Sequence, residues 1–462
     1  MNGELSPART LAADLLDKWS RHSRFADALL SQALDSSQLD ERDRSLAAEL
    51  FLGAIRRLET LDCVLQAFCS RPLPSLGPSI LNVLRLGAYQ IIFLGRVPTY
   101  AAVDSAVQQV KELTSSGVHK LVNATLRSLD RSLAKDILQT NEAVIKRALP
   151  LGVDQWCYFD LDIFTGPDDD PGRYLSQVYS CPDWLTRRWW GRFDLNGAAA
   201  VCLGSVLRGP ATLRPNTLRT SADELVTALT NMGLTAGWMA EGPGVWAHQI
   251  IPTQNHLFLA GHFQPQGFTA MQAGAFTQVQ QGQTVLDYCA GLGTKATHLA
   301  ELMNDNGLVV ATDISTEKLK HARTNAKRLG IGCIQFLSLD ELISRFKPAS
   351  FDVVLVDAPC SNTGVLANRP DAKWRIKPQH LQELARKQMA ILHRAADFVR
   401  PGGALIYSTC SIEPMENDDL AAEFSRHHET LAFDTDREYL PYISHDPATW
   451  RDGGYLARWY KK

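Results

Sequence analysis

Hydrophobic positions in the first 135 residues recur at the three- and four-residue spacing of amphipathic helices. The stretch ARTLAADLLDKWSR places its leucines and Trp19 on one helical face, and RSLAAELFLGAIRRLETLDCVLQAF continues the same pattern. Two further amphipathic stretches are separated by Ser115-Ser116-Gly117. Because such helices bury their apolar faces against one another when their connections are short, we predict an all-α bundle.

The pattern changes after residue 284, where short apolar runs alternate with amphipathic stretches. The apolar runs are TVLDY, LVVATDI, CIQFL, FDVVLVDA and GALIYSTC, and the stretches between them have helical periodicity. Continuous apolar strands that alternate with helices are typical of a parallel sheet covered on both faces. We therefore predict an α/β domain whose ligands bind where the strands end.

The middle of the chain is less regular. Residues 136–180 include the acidic, proline- and glycine-rich FTGPDDDPGR, which is typical of a surface loop, and we predict a linker there. CPDWLTRRWWGRF then opens a helix whose arginines and tryptophans fit either a packing surface or an RNA-facing one. Short helical and strand-like segments favour a small α/β subdomain over 181–270. The predicted organisation is a bundle over 1–135, the linker, this subdomain, and the α/β domain over 271–462.

Length and composition agree with several soluble domains. The 462 residues exceed one ordinary core, and 45% of them are hydrophobic and 21% charged. We find neither a membrane-spanning apolar run nor a secretory signal pattern, so we expect a cytoplasmic protein without membrane contact. The nine cysteines include no CxxC pair, so we expect no metal site. A net charge of −3 leaves room for a local basic groove.

Polar residues and glycines follow the first three predicted strands. Cys289-Ala290-Gly291-Leu292-Gly293-Thr294-Lys295 forms a turn whose backbone amides can approach a ligand closely, although it has neither P-loop spacing nor a full GxGxxG. Asp313 ends the second strand, where a carboxylate can bind ribose hydroxyls or cap the next helix. Asp340 follows the third strand and fits either an adenine contact or a helix N-cap.

Two cysteines follow the fourth and fifth predicted strands. Asp357-Ala358-Pro359-Cys360 ends one strand and Ser408-Thr409-Cys410 ends the other. Neighbouring parallel strands end at the same rim of a sheet, so both thiols are expected in loops at that rim. The usual interpretation of a cysteine as a small buried hydrophobe therefore fits this pair less well than the other seven.

A basic and aromatic loop follows Cys360. Basic side chains bind RNA phosphates and aromatic side chains stack on bases, although a solvated surface loop can have the same composition. The candidate RNA-binding residues are Arg369, Lys373, Trp374 and Arg375.

The segments DAPCSNTG and YSTCSIEPMEN closely resemble motifs of the Sun/Nop2 family of RNA cytosine-5 methyltransferases. The helical N-terminal region resembles the NusB-like domain of the bacterial RsmB branch, and HKLVNATLRSLDR, PDWLTRRWW and DGGYLARWYKK are similar to further segments of that branch. The resemblance implies a Rossmann-like S-adenosylmethionine methyltransferase domain with a mostly parallel sheet and an antiparallel last strand. A NusB-like RNA-binding bundle and a small α/β RNA-binding subdomain would precede it.

The resemblance also implies roles for individual residues. Cys410 would be the nucleophile that adds to C6 of cytosine, Cys360 would help the adduct break down, and Asp357 and Lys295 would lie beside the base. The cofactor would be S-adenosyl-L-methionine, and the substrate would be locally unpaired RNA, most simply 16S ribosomal RNA, with further contacts to ribosomal proteins. The residues that bind the cofactor would be those from Cys289 to Lys295 together with Asp313, Asp340 and Asp357.

Two departures from the family pattern keep alternatives open. The cofactor loop usually reads CAAPGGK, whereas this chain keeps Gly293 and Lys295 but lacks the proline. AMQAGA stands where the family usually has VQDEA. A non-catalytic RNA-binding or ribosome-assembly factor is therefore one alternative, and the same chemistry on transfer RNA is another. An NAD-dependent oxidoreductase would leave both cysteine loops unexplained.

Overall fold

The computed structural model describes residues 6–21, 25–135 and 142–462. The chain divides into two compact units. The first comprises Met1–Leu207 together with Leu366–Arg375, and the second comprises Arg208–Val365 together with Ile376–Lys462. Among the described residues, none of the helices has both the length and the apolar composition needed to cross a bilayer.

The first unit begins with the predicted helical bundle. The apolar faces identified from the sequence are buried, and Leu16, Phe51 and Leu84 are fully excluded from solvent. The Asp40 side chain caps one of these helices by accepting a hydrogen bond of 2.8 Å from the Asp43 amide. The helices are α1 (Pro7–Arg21), α2 (Ala26–Ser36), α3 (Glu41–Arg56), α4 (Leu58–Phe68), α5 (Pro78–Phe93), α6 (Thr99–Leu113) and α7 (Val118–Ser132).

The rest of the first unit includes the region expected to be a linker. Its first residues, 136–141, lie outside the described residues, whereas the part that follows contains regular elements. In the predicted loop FTGPDDDPGR, the part FTGPDDD is irregular, as predicted, whereas its last three residues begin a helix at Pro171. The helix of CPDWLTRRWW belongs to this unit and not to the small subdomain. Trp189 of that helix is buried and Trp190 is exposed. The elements are β1 (Leu133–Ala134), β2 (Ala148–Gly152) and β3 (Gln155–Phe159), which form an antiparallel sheet, followed by α8 (Pro171–Tyr179) and α9 (Asp183–Val206).

The second unit opens with a small α/β subdomain. Its four strands form an antiparallel sheet in the order β5-β6-β4-β7. Leu213, Leu229 and Phe263 are fully buried in its core. The elements are β4 (Ala211–Pro215), α10 (Ala222–Asn231), β5 (Ala236–Trp238), β6 (Val245–Ala247), α11 (His256–Leu259) and β7 (Phe263–Pro265), and α12 (Phe268–Phe276) follows them.

A seven-stranded sheet in the order β10-β9-β8-β11-β12-β14-β13 forms the centre of the second unit. The strands are parallel except β14, which pairs antiparallel with β12 and β13, so the predicted mostly parallel sheet is confirmed. The elements are β8 (Thr284–Asp287), α13 (Thr294–Leu302), β9 (Leu308–Thr312), α14 (Thr316–Leu329), β10 (Ile334–Leu337), α15 (Leu339–Arg345), β11 (Phe351–Asp357), α16 (Ala372–Arg375, in the first unit), α17 (Pro378–Ala396), β12 (Val399–Thr409), α18 (Asp418–His427), β13 (Leu431–Tyr439) and β14 (Gly454–Lys461).

The strand order places the candidate site. Successive residues of one strand pack into the cores on opposite faces of the sheet, as Val354 and Leu355 do, because successive side chains along a strand point to opposite faces. From β8, successive strands are added toward one edge of the sheet as far as β10, and from β11 they are added toward the other edge. Ligands of open parallel sheets bind at such a reversal of strand order, here between β8 and β11. Asp287 and Asp357 are the last residues of these two strands. The site should therefore lie just beyond them.

Candidate active site

The loops after β11 and β12 bring two thiols together. These strands pair in parallel with Asp357 opposite Ser408, so both loops leave the sheet at the same level. Sγ of Cys360 lies 2.9 Å from Sγ of Cys410, and both residues are half-buried. The contact with Cys410 and the burial of the side chain raise the pKa of Cys360 well above its ordinary value. Cys360 therefore holds its proton at neutral pH.

Asn362 and Gly364 fix the relative position of the two cysteine loops. Cys410 Sγ donates to Oδ1 of Asn362 over 3.3 Å, and Nδ2 of Asn362 donates to the Cys360 carbonyl over 2.9 Å. The Gly364 amide donates to the Cys410 carbonyl, also over 2.9 Å. Asn362 has a φ of 62°, a left-handed conformation that asparagine tolerates better than most residues. The tight turn thus points its side chain at the nucleophile candidate.

The buried carboxylate of Glu416 connects the same two loops by hydrogen bonds. Glu416 accepts hydrogen bonds from the Ser361 amide at 2.9 Å, from Oγ of Ser411 at 2.6 Å and from Nε2 of Gln388 at 2.8 Å. Asn417 accepts from Oγ1 of Thr409 at 2.7 Å and donates to the Ser411 carbonyl at 2.9 Å. The sequence analysis assigned no role to Glu416 and Asn417. Both belong to the motif YSTCSIEPMEN, and this membership was the signal that could have identified them.

Lys295 and Asp357 form an ion pair at the ends of α13 and β11. Nζ of Lys295 lies 2.7 Å from Oδ2 of Asp357, whose other oxygen accepts from Oγ of Ser408 over 3.2 Å. Burial alone would lower the pKa of Lys295, but the Asp357 carboxylate more than offsets this and the pKa is raised. The site therefore contains a fixed cation at neutral pH. The structure brings together all four candidate catalytic residues in the second unit.

Asp287 is a further acidic residue that sequence reasoning did not single out. Its side chain is fully buried, and neither carboxylate oxygen has a hydrogen-bond partner within the described residues. Burial, with a smaller contribution from Asp357, raises the pKa of Asp287 to about 7. A polar group buried without a partner is costly, so it is a sign of a site that a ligand or water completes.

The glycine-rich turn after β8 has the backbone expected of a ligand-binding loop. Gly291 and Gly293 have φ values of 55° and 77°, which side chains rarely tolerate. A Cβ at Gly291 would meet nothing within 4 Å, whereas one at Gly293 would lie 2.8 Å from Cβ of Ala322. The turn therefore has open space at one glycine and close packing at the other. Loss of the family's proline has not prevented the tight turn.

Asp313 connects this turn to the next strand. Its Oδ2 accepts from the Gly291 amide at 3.0 Å and its Oδ1 from the Ser315 amide at 2.8 Å. Ser315, and not Asp313, caps α14 by accepting from the Lys318 amide. Beside it, Ile314 is 88% exposed, which leaves an apolar surface suited to a planar aromatic ligand. Sequence reasoning missed Ile314, because exposure is not visible in a strand pattern.

Asp340 lies at the surface in the first turn of α15. The alternative of an N-cap is wrong for this residue, because Ser338 caps the helix by accepting from the Glu341 amide. A capping box completes the arrangement, since the Glu341 side chain accepts from the Ser338 amide over 2.8 Å. The expected adenine contact of Asp340 stays a prediction.

The chain is similar to known methyltransferases over most of its length. A family model described as 16S rRNA methyltransferase RsmB/F matches residues 275–440, and a NusB family model matches residues 6–131. A probable ribosomal RNA small subunit methyltransferase B of Bacillus subtilis is 30% identical over 424 residues, with 91% of this chain and 88% of the relative covered. One from Synechocystis is 31% identical, with 91% and 90% covered. The chain belongs to the RsmB/F family.

Solved structures share the fold of this RsmB/F family member. The crystal structure of PH0851 has a TM-score of 0.72 at 20% identity and covers 100% of both chains. A methyltransferase homologue from Pyrococcus horikoshii has a TM-score of 0.52 at 22% identity, with 62% of this chain and 98% of that chain covered.

The basic loop of this family member is placed differently from what the sequence suggested. Lys373 is fully buried, and its Nζ donates to the Arg56 carbonyl over 2.9 Å. Nε1 of Trp374 donates to the Ile55 carbonyl over 2.8 Å. Burial lowers the pKa of Lys373 to about 8. Both donors are thus used inside the first unit, which corrects the expected solvent-facing placement of Lys373 and Trp374.

The two arginines of the loop differ from each other. Arg375 pairs with Asp371 at 2.9 Å and lies over the Phe25 ring at 4.1 Å from its centroid. Arg369 is exposed. An RNA contact of either arginine stays a prediction.

Proposed function

We propose that this chain transfers a methyl group from S-adenosylmethionine to C5 of a cytosine in 16S ribosomal RNA, with Cys410 as the nucleophile. The observation that carries the proposal is the 2.9 Å approach of the Cys360 and Cys410 sulfurs at the rim of the sheet. Membership of the RsmB/F family, whose description names 16S rRNA methyltransferases, supports the substrate and the reaction.

Cys410 is suited to activate the base. C5 of cytosine is a poor nucleophile, but addition of a thiolate at C6 breaks the aromaticity and gives C5 enamine character. Asp357 holds the ammonium group of Lys295 in the same site, at 2.7 Å from its carboxylate. After methyl transfer, the C5 proton passes to water, the C5–C6 double bond re-forms and the C6–sulfur bond breaks, which releases the product and returns the thiolate.

Cys360 is suited to assist that last step. It keeps its proton at neutral pH and its sulfur contacts the sulfur of Cys410. As the C6–sulfur bond breaks, the Cys360 thiol can donate a hydrogen bond to the departing sulfur, which leaves as the thiolate. Without this donor, the covalent complex with RNA should persist.

Asp357 is suited to select cytosine. A carboxylate accepts hydrogen bonds, and the exocyclic amino group of cytosine donates them, whereas uracil presents an oxygen at that position. Lys295 and Ser408 hold the carboxylate in place. Because attack occurs on the face of the base, the target cytosine must leave its stack, and the RNA should be unpaired locally.

The residues around the glycine-rich turn fit the cofactor. S-adenosylmethionine supplies an electrophilic methyl group when it is bound. The open backbone at Gly291 admits a ligand, Asp313 offers oxygens to ribose hydroxyls, and the exposed Ile314 offers an apolar face to adenine. Asp287 ends the strand directly before this turn, and its carboxylate oxygens have no hydrogen-bond partner within the described residues.

The test combines cofactor binding with product analysis. Purified full-length chain, methyl-labelled S-adenosylmethionine and unmodified 16S ribosomal RNA should yield labelled 5-methylcytidine after nuclease digestion, and transfer RNA should yield none. Cys410→Ala should abolish the product, whereas the control Cys333→Ala, also at a half-buried cysteine, should not. Normal turnover of Cys410→Ala would refute the assigned nucleophile. Absence of cofactor binding in calorimetry at millimolar concentration would favour a non-catalytic RNA-binding factor.

A further inference from the structure

The second unit contains an aromatic cavity that none of the proposed catalytic residues lines. Its volume is about 280 Å³, slightly below the usual range for small-molecule sites. Aromatic side chains form much of its wall, with one basic and one acidic residue. The lining residues that matter here are Met239, Glu241, Phe268, Tyr442, Trp450 and Arg451.

Backbone and side-chain contacts hold the walls of this cavity in place. Tyr442 and Arg451 exchange two backbone hydrogen bonds of 3.0 Å, and the Ala240 amide donates to the Ala448 carbonyl over 2.8 Å. Nε1 of Trp450 donates to the Ser444 carbonyl over 2.6 Å. Trp450 lines the cavity and its N–H group is already used, so a ligand would meet this side chain through its ring. The cavity is therefore formed before any ligand enters.

The aromatic and charged groups suit a planar, polar ring. Tyr442 is 46% exposed, and the guanidinium of Arg451 lies 5.3 Å from its ring centroid. Phe268 is buried at the edge of the cavity, where it packs against Tyr439. Bases of single-stranded RNA stack on aromatic side chains, and arginine adds cation–π and phosphate contacts. The carboxylate of Glu241 can accept a hydrogen bond from an amino group on a base edge.

The cavity is also close to the cysteine loops along the chain. The Gly453 amide donates to the Gly364 carbonyl over 2.7 Å, and the Gly364 amide donates to the Cys410 carbonyl over 2.9 Å. Trp450 precedes Gly453 by three residues, a distance of at most about 11 Å in an extended chain. Between them, Asp452 accepts from the Thr269 amide over 2.9 Å, which ties the segment to the helix that begins at Phe268.

We propose that this cavity binds the base of a nucleotide that flanks the target cytosine in single-stranded RNA. The inference rests on the proposed function, since it assumes that a cytosine is held at Cys410. A flanking base stacked on Tyr442 and Trp450 would be unstacked from its neighbours. The subsite would therefore also help to hold the strand open at the target.

The test compares variants and RNAs in a cycle. Single-stranded RNA 12-mers carry one central cytosine, and one flanking nucleotide at a time is replaced by an abasic ribonucleotide. At one flanking position, the abasic nucleotide should raise the Kd of the unaltered chain roughly 10-fold, the effect of losing one stacked base. Tyr442→Ala should raise the Kd for intact RNA by a similar factor and should be insensitive to that abasic nucleotide. Tyr442→Phe should keep both properties of the unaltered chain.

Tyr460→Ala is the matched control, because Tyr460 is 37% exposed and has the Arg458 guanidinium 5.4 Å from its ring centroid. It should bind every RNA as the unaltered chain does. If Tyr442→Ala responds to each abasic nucleotide as Tyr460→Ala does, the subsite is refuted, and another occupant of the cavity is indicated. Since Kd is measured without methyl transfer, failure of 5-methylcytidine formation with an intact binding cycle would count against the proposed function alone.

Discussion

A buried ion pair in the second unit offers a quantitative test of how the cofactor loop is supported. Arg214 and Glu301 have side chains that are 1% and 2% exposed. Nε and Nη2 of Arg214 each donate to the Glu301 carboxylate over 2.8 Å, and Nη2 also donates to Oγ1 of Thr297 over 3.1 Å. Nη1 donates to the Thr294 carbonyl over 2.9 Å. Arg214 thus anchors the first turn of α13, directly after the glycine-rich loop.

Arg214→Met should destabilise the second unit by about 3–5 kcal/mol, because it leaves a buried carboxylate without its counter-charge. Burial raises the pKa of Glu301 even with Arg214 present, so the variant should protonate Glu301 more readily. The double variant Arg214→Met with Glu301→Leu should recover most of the loss, since a well-packed apolar pair is often as stable as a buried ion pair. The two substitutions should therefore be strongly non-additive.

The assay is urea denaturation of the full chain followed by tryptophan fluorescence at pH 7.5. Arg345→Met serves as control, because its partner Glu341 and Arg345 itself are 48% and 55% exposed, and such a surface pair contributes under about 1 kcal/mol. The reasoning is refuted if Arg214→Met unfolds at the same urea concentration as Arg345→Met. It is also refuted if the double variant is as unstable as the single one.

Three further predictions concern buried ionisable groups. Asp287 has a pKa of about 7 in the folded chain and about 4 when unfolded, so the unfolded state binds fewer protons between these values and stability falls as pH rises. Asp287→Asn should therefore remove about 2 kcal/mol of destabilisation that develops in the unaltered chain between pH 5.5 and 8. If the melting temperatures of the variant and the unaltered chain depend on pH in the same way, this prediction is wrong. Glu416→Gln should lower kcat for methyl transfer roughly 10- to 100-fold without changing cofactor affinity in calorimetry, because the cysteine loops lose an acceptor that orients them; an unchanged kcat would show that the carboxylate is dispensable. Lys373→Met should leave the salt dependence of RNA binding unchanged, because the ammonium is buried; a shallower slope would restore the RNA-facing role.

The central arrangement followed from the sequence because it depends on strand order and direction alone. Neighbouring parallel strands must end at the same rim, so the loops of Cys360 and Cys410 had to be close. The same argument placed Asp313 at the end of the second strand, and the structure adds that its carboxylate accepts a 3.0 Å hydrogen bond from the Gly291 amide. Periodicity likewise separated the helical bundle from the α/β sheet.

Other features depend on contacts between distant parts of the chain, which local patterns do not contain. Lys373 and Arg56 are 317 positions apart, so a basic, aromatic loop gave no sign of its burial. The role of Glu416 depends on Ser361, which lies 55 positions away. Asp340 and Ser338 are both good capping residues, and only the helix start distinguishes them. Exposure of Ile314 is a tertiary property as well.

Trapping of the covalent intermediate tests the account most directly. Cys360→Ala is incubated with S-adenosylmethionine and unmodified 16S ribosomal RNA, treated with nuclease, and analysed by mass spectrometry of its peptides. We expect a methylated cytidine nucleotide attached to Cys410, and none in the variant that also carries Cys410→Ala. A Cys360→Ala chain that turns over without any RNA adduct, or one that carries the nucleotide at another residue, would contradict the proposed division of roles between the two cysteines.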